Sequence, residues 1–460
     1  VLDKLKQPIA IFLFALAIRG VVCYWNFAQF SADPDAYARI AATLAETGVY
    51  GLTGLDNQPK PTAFRPPLYP YLLAKLVSDG QVSPWAVACL HTVLGAITVL
   101  CTFLIYRRLV GQPAGERFAL LAALLVTVDP ILVQQSSFVM TETLATALAS
   151  VVIWAWIRCG DSECARSRGS VGCAVGLGLL LALAYLCRPT FLVWAVLLGG
   201  AMLLRPAIAW KRRFTWAALV LLPIAIALFL WTERNRHAVG HPVWATTHGG
   251  YTLLLANNPS FYDYLQQGGW GEAWDAQPFL RAYEHRYDGD PNTEAFWLTG
   301  WSNEQTHDPR TAKEEISSAE PDRNITEYED DRVCYLAARA TIEREPRTFV
   351  WSCLVRLARL WSPLPHHTPG RSWLKVIAIG IYYSLFYVAV LLGMRRIGRS
   401  LLTSPWWAVW TLAIALSLVH AVYWSNLRMR APIIPALAVI AAAGLAPRRD
   451  NPNEHPKTDE

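Results

Sequence analysis

The chain has 460 residues, of which 53% are hydrophobic and 17% charged, with a formal net charge of +6 and a mean hydropathy of +0.25. Soluble domains carry roughly 25% charged residues, so an ordinary soluble globule is excluded. The basic excess gathers in short loops between apolar blocks, at Arg107-Arg108, Arg158, Lys211-Arg212-Arg213, Arg395-Arg396 and Arg448-Arg449. That placement is the orientation bias of a membrane protein and argues against a nucleic-acid partner.

About 20 mostly apolar residues suffice to cross the hydrocarbon core. In chain order such runs fall at 8–26, 84–106, 117–135, 139–157, 171–187, 189–204, 214–232, 373–394, 405–425 and 431–447. The first follows Lys4 and Lys6, exceeds the apolar core of a signal peptide and is interrupted by Arg19, so it reads as an uncleaved span. With both termini cytoplasmic, every basic cluster above falls on the cytoplasmic side, as expected of a multi-pass protein of a bacterial inner or plasma membrane. Four parts result: a transmembrane module over 1–232 with a first outer loop at 27–83, an outer loop subdomain at 233–372, C-terminal spans at 373–447, and a disordered cytoplasmic tail at 448–460.

The first outer loop opens on Ser31-Ala32-Asp33-Pro34-Asp35-Ala36-Tyr37 and continues as a helix to about Gly48. Asp33 suits an N-cap, with Pro34 at the first helical position and Asp35 favourable to the helix dipole. The chemical alternative is that one of the two carboxylates is a general base for an acceptor hydroxyl. Arg65, further along the loop, suits bidentate binding of a phosphate.

Glu142 opens the fourth span, either as a first-turn acid favoured by the dipole or as a site residue. Arg188, Arg428 and Arg430 stand near outer span ends, where they either snorkel to headgroups or bind a donor phosphate. In the second outer segment, 288–322 reads as surface loop, and 331–361 has the spacing of an amphipathic surface helix broken at Pro346. Cys334 and Cys353 share the outer side, which leaves a disulfide between them open. His237 with His241, and His366-His367, lack the partners of a zinc site.

Four motifs occur in order: Asp33 with Tyr37, Gly48 and Arg65-Pro66-Pro67-Leu68-Tyr69-Pro70; Leu186-Cys187-Arg188-Pro189-Thr190; Glu233-Arg234-Asn235-Arg236 with Gly249-Gly250-Tyr251 and Asn257-Asn258-Pro259; and Asn426-Leu427-Arg428-Met429-Arg430-Ala431-Pro432. Together they resemble the membrane-embedded C-type glycosyltransferases of the family 39-like group, which includes protein O-mannosyltransferases and the lipid A aminoarabinose transferase. The resemblance implies an all-α polytopic membrane protein, a C-type glycosyltransferase-like helical bundle with a small outer subdomain. It implies inverting transfer from a polyprenyl-phosphate sugar to an acceptor protein or glycolipid on the outer face. The first-loop aspartate is the implied base, with Asp33 matching the spacing to Tyr37 better than Asp35, and Glu142 resembles the family's second acidic site. No cofactor is required by this reading, and a divalent metal stays open. The rival readings are a transporter or flippase of a lipid-linked glycan, which predicts ionisable groups near the bilayer midplane, and a silent scaffold in which Asp33 and Asp35 only cap a helix.

Overall fold

The computed structural model describes residues 2–54, 57–110, 115–159, 170–205, 209–267, 273–284, 286, 325–368 and 371–447. The loop expected at 288–322 and the tail at 448–460 lie outside them. The apolar runs fold as helices because a backbone in hydrocarbon must satisfy its own hydrogen bonds. They form α1 (Leu2–Trp25), α4 (Pro84–Leu109), α5 (Gly115–Thr127), α6 (Pro130–Gln135), α7 (Glu142–Cys159), α8 (Ser170–Cys187), α9 (Thr190–Leu203), α10 (Trp210–Ala238), α16 (Trp373–Ile397), α17 (Trp407–Val422) and α18 (Ile434–Leu445).

Among the described residues, seven helical runs are long and apolar enough to cross a membrane, with shorter apolar helices at Val171–Cys187 and Thr190–Leu203. The chain is an all-α, multi-pass integral membrane protein. The expected span 117–135 differs from the structure: it breaks into α5 and α6. Asp129 causes the break, because its carboxylate accepts from the Leu132 amide at 2.9 Å and Pro130 follows at the first helical position. In both Glu142–Cys159 and Leu427–Leu445, 72% of the apolar stretch is buried inside the protein, against 22% in Lys6–Trp25. The first two are therefore central to the bundle and α1 is peripheral. α16 and α18 approach closely at glycine: a Cβ on Gly444 would lie 2.3 Å from the Ala389 carbonyl oxygen and 2.5 Å from the Gly393 nitrogen, the small-residue contact typical of helices packed in lipid.

The two polar segments meet at one end of the bundle. The first carries α2 (Tyr37–Thr47), α3 (Leu68–Ala74) and two short antiparallel hairpins, β1 (Gly51–Thr53) with β2 (Pro59–Pro61) and β3 (Val77–Ser78) with β4 (Gln81–Val82). α2 stops at Gly48 in the left-handed conformation, as the sequence suggests. The second carries α11 (Gly249–Ala256), α12 (Pro259–Gln266), α13 (Gln277–Glu284), α14 (Glu327–Arg344) and α15 (Pro346–Trp361). The break between α14 and α15 falls at Pro346, which starts α15 because it has no amide hydrogen to donate.

Two ionic side chains pin the segments together. Arg234, near the end of α10, donates to the Tyr50 carbonyl at 2.6 Å and the Thr62 carbonyl at 2.5 Å. Glu327, at the start of α14, accepts from the Thr62 hydroxyl at 2.5 Å and the Ala63 amide at 2.6 Å. Buried Arg356 donates to the Ala421 and Ala256 carbonyls, which fixes α15 on the bundle. Cys334 and Cys353 are free thiols, so the disulfide is not formed: Cys334 packs in the apolar cluster of Leu254 and Phe279, whereas Cys353 lies against Arg356 at 3.4 Å. Glu327→Ala strands the Ala63 amide and the Thr62 hydroxyl, and should lower stability by about 1–3 kcal/mol. Thermal unfolding in detergent would read this, and an unchanged midpoint would show that the clasp contributes nothing.

Candidate active site

In the first loop, the sequence places two carboxylates and an arginine where the chain must turn sharply into α2. Asp33 caps that helix in a form the sequence does not suggest: α2 begins at Tyr37, and the Asp33 carboxylate reaches forward to accept from the Ala38 amide at 3.1 Å and the Arg39 amide at 3.0 Å. The intervening Pro34-Asp35 turn closes with the Ala36 amide on the Asp33 carbonyl. Ala36 takes a left-handed φ of 61°, a conformation that costs a non-glycine residue about 1 kcal/mol or more. Asp35 faces Arg65, whose guanidinium donates to its carboxylate at 2.8 Å and to its carbonyl at 2.8 Å. The same guanidinium stands over the Phe64 ring at 4.4 Å and the Tyr37 ring at 5.4 Å.

A second cluster forms where three bundle elements end. Glu142 opens α7 and is 2% exposed. Its Oε1 lies 3.6 Å from Arg188 in the α8–α9 turn and 3.5 Å from Arg428 in the 3-10 turn Leu427–Ile433. Beyond Glu142, the guanidinium contacts are soft: Arg188 meets the Met429 sulfur at 3.3 Å and Arg428 the Met140 sulfur at 3.1 Å. Two guanidiniums that share one carboxylate oxygen at these distances keep donors to offer an anion.

Two buried tyrosines join the clusters. Tyr37 and Tyr69 meet edge to face, 5.3 Å apart, and the Tyr69 hydroxyl bonds His91 Nε2 at 2.8 Å. The Tyr37 phenol is pushed up to about 12, by burial first, and it feels Arg65 and Asp35 on one side and Arg188 and Glu142 on the other. It therefore stays a neutral hydrogen-bonding group between two charged sets. Glu142 lines a small internal cavity with Gln135 and Thr143. Ala36, Arg39 and Phe64 line a separate one of about 300 Å³ with His248, Tyr251, Asp330 and Asp331.

Residues 64–231 match the family described as dolichyl-phosphate-mannose-protein mannosyltransferase. The resemblance to the family 39-like membrane glycosyltransferases stands. Arg65, Glu142 and Arg188 fall inside the matched stretch, whereas Asp33, Asp35 and Arg428 fall outside it. Among solved structures, the chain is similar to the archaeal oligosaccharyltransferase AglB from Archaeoglobus fulgidus, in complex with an inhibitory peptide and a dolichol-phosphate. That likeness has 14% identity and a TM-score of 0.48 and covers 96% of this chain and 50% of that one, so the chain spans about half of its length. ArnT from Cupriavidus metallidurans, bound to undecaprenyl phosphate, is 14% identical with a TM-score of 0.41, over 96% of this chain and 78% of that one. No curated protein matches.

The structure gathers Asp33, Asp35, Tyr37 and Arg65 in the first polar segment and Glu142, Arg188 and Arg428 beside it. Arg430 lies apart from them. It is 1% exposed, donates to the Leu360 and Ser362 carbonyls and stands over the Tyr383 ring at 4.2 Å, which makes it a brace between α15 and α16. His91 was not singled out by sequence reasoning, and Tyr69 entered only within the Arg65–Pro70 motif, although a histidine inside an apolar span is the signal that marks the pair. Among the described residues, no group of three His, Cys, Asp or Glu side chains is arranged to hold a metal ion.

Next to Arg65, His248 stacks on Tyr251 and meets Phe64 edge to face. Burial and Arg65 push its imidazole down to about 3. Across the cavity, burial pushes the Asp331 carboxyl up to about 7, although the Gly250 amide donates to it at 2.6 Å. A raised folded-state value means that the native chain binds the proton more tightly than the unfolded one. The stabilisation is thus full below the ordinary value of about 4 and is lost as pH rises through about 7. Buried His248 works in the opposite sense below its ordinary value of about 6.5, so the readout is the difference between variant and wild type: Asp331→Asn, which keeps the oxygen facing Gly250, should gain unfolding midpoint relative to wild type as pH rises from 5 to 8. A difference that does not change with pH would remove Asp331 as a contributor.

Proposed function

We propose that this chain is a lipid-dependent glycosyltransferase that moves a sugar from a polyprenyl-phosphate donor to an acceptor hydroxyl at the outer face of the membrane, with inversion. The observation that carries this reading is the pairing of a rigid carboxylate loop, Asp33 and Asp35 with Arg65, with two guanidiniums, Arg188 and Arg428, that share Glu142 at the same end of the bundle. The family match over 64–231 supports the reaction class.

In this mechanism the acceptor oxygen attacks the anomeric carbon while the bond from that carbon to the phosphate oxygen breaks. The electron pair leaves on the lipid phosphate, and the hydroxyl proton passes to Asp33. Asp33 suits that role because both of its oxygens are oriented by backbone amides and each keeps a lone pair for a proton. Asp35 acts through Arg65, holding the guanidinium in place. Arg188 and Arg428 receive the phosphate, whose charge grows as the sugar departs.

Membranes carrying each variant, incubated with radiolabelled polyprenyl-phosphate sugars, test the assignment. Asp33→Asn retains one capping oxygen but not the base, and should lower transfer by about a hundred- to ten-thousand-fold. Arg428→Gln should raise the donor KM by about tenfold or more, the effect of losing one charge-assisted contact. Full transfer by Asp33→Asn and by Asp35→Asn with a confirmed donor would end the catalytic-base reading. Movement of the lipid-linked glycan across the membrane without transfer would favour a flippase.

A further inference from the structure

Arg19 is a full positive charge inside a membrane span. It lies six residues before the end of α1 at Trp25, about 9 Å along the helix at 1.5 Å per residue, and is 2% exposed. An ionisable group at such a depth is costly and is seldom kept without a partner. One amino group donates to the Val126 carbonyl at 2.8 Å, but Nε and Nη1 have no hydrogen-bond partner. The room for this side chain comes from α4: a Cβ on Gly95 would stand 3.3 Å from the Arg19 Cγ and 3.5 Å from its Nε.

Arg19 also feels the Asp129 carboxylate, yet Asp129 has partners of its own in the Leu132 amide and the Tyr383 hydroxyl. On the other side, Arg19, Gly95, Gln135, Ser136 and Glu142 line one cavity of about 10 Å³, the volume that holds a single water. Two acceptors on that lining are likewise buried and unpaired, Gln135 Oε1 and Glu142 Oε2. Two orphaned donors and two orphaned acceptors around a water-sized polar cavity match the two to four bonds that a buried water makes.

We propose that Arg19 is a positioning residue for Glu142, orienting its carboxylate through one water in the cavity they share. The inference rests on Glu142 belonging to the site proposed above. With Oε1 held by Arg188 and Arg428 and Oε2 held through water by Arg19, the carboxylate cannot rotate away from the two guanidiniums assigned to the donor phosphate.

Glu142 is faced by Arg19 from α1, by Arg188 and Arg428 from the two turns, by His91 from α4 and by His420 from α17. The Tyr37 and Tyr69 phenols and the Cys187 thiol also feel its charge. In purified full-length chain, Arg19→Gln should lower kcat about tenfold with little change in donor KM. Arg19→Lys should recover most of the lost kcat. Wild-type kcat and donor KM in Arg19→Gln would overturn the proposal. Should that variant not fold, a high-resolution density map of the wild type decides: water within hydrogen-bond distance of Arg19 Nη1 and Glu142 Oε2 supports it, and none there overturns it. Glu142→Gln separates the two levels. Full transfer in that variant removes Glu142 from the site altogether, whereas loss of transfer with a silent Arg19→Gln refutes the positioning role alone.

Discussion

A carboxylate that is 2% exposed at the head of a membrane helix cannot stay ionised without compensation, and Glu142 draws that compensation from three directions. The first turn of α7 supplies unpaired amides and the positive end of its dipole. Arg188 arrives from the α8–α9 turn and Arg428 from the 3-10 turn before α18. One charge thus fixes the relative placement of three helix ends. It also explains why a protein with so few charged residues concentrates several of them here: in a low-dielectric setting, a charge is tolerated where its partners are already in place.

The polar segment preceding α4 obeys a related constraint. Its chain must leave α1, turn twice and return, with no sheet of more than two strands to hold it. Side chains do the holding. Asp33 satisfies the free amides at the head of α2, Arg65 clasps Asp35, and Arg234 and Glu327 fasten the hairpin at Tyr50 and Thr62 to the second polar segment. The left-handed Ala36 persists because the bonds on both sides of it over-determine the turn. Strain at that point, beside the two aspartates, is what a loop bears when the aim of its side chains matters more than its comfort.

The bundle was legible in the sequence because apolar run length maps directly onto span length, and Gly48 and Pro346 marked their helix ends because glycine and proline act on the backbone locally. Asp129 was not legible as a break: Asp-Pro inside an otherwise apolar run reads as a tolerated interruption until the carboxylate is seen on the Leu132 amide. Arg188, Arg428 and Arg430 looked alike in sequence, each a cation at a span end. They were parted by tertiary packing, which laid Arg430 against Tyr383 and left the other two beside Glu142. Arg19 read as a flaw in an apolar run, since nothing local shows that Gly95, from a helix far along the chain, makes room for it. What remained hidden was therefore the pairing of distant elements, which no local signal encodes.

The division of labour between the two clusters follows from how rigid each support is. A displacement that expels a phosphate needs its cations fixed before charge develops, because reorganising them during the reaction would consume the benefit. In the proposed reading those cations are Arg188 and Arg428, each on a turn held by the helices packed around it. The proton acceptor must stand on the opposite side of the sugar from the leaving group for inversion to occur, and Asp33 is carried by a separate loop rather than by the bundle. Tyr37 is buried, stays neutral and feels the charges of both sets, so a substrate that bridges them meets an uncharged hydrogen-bonding group there rather than a further ion.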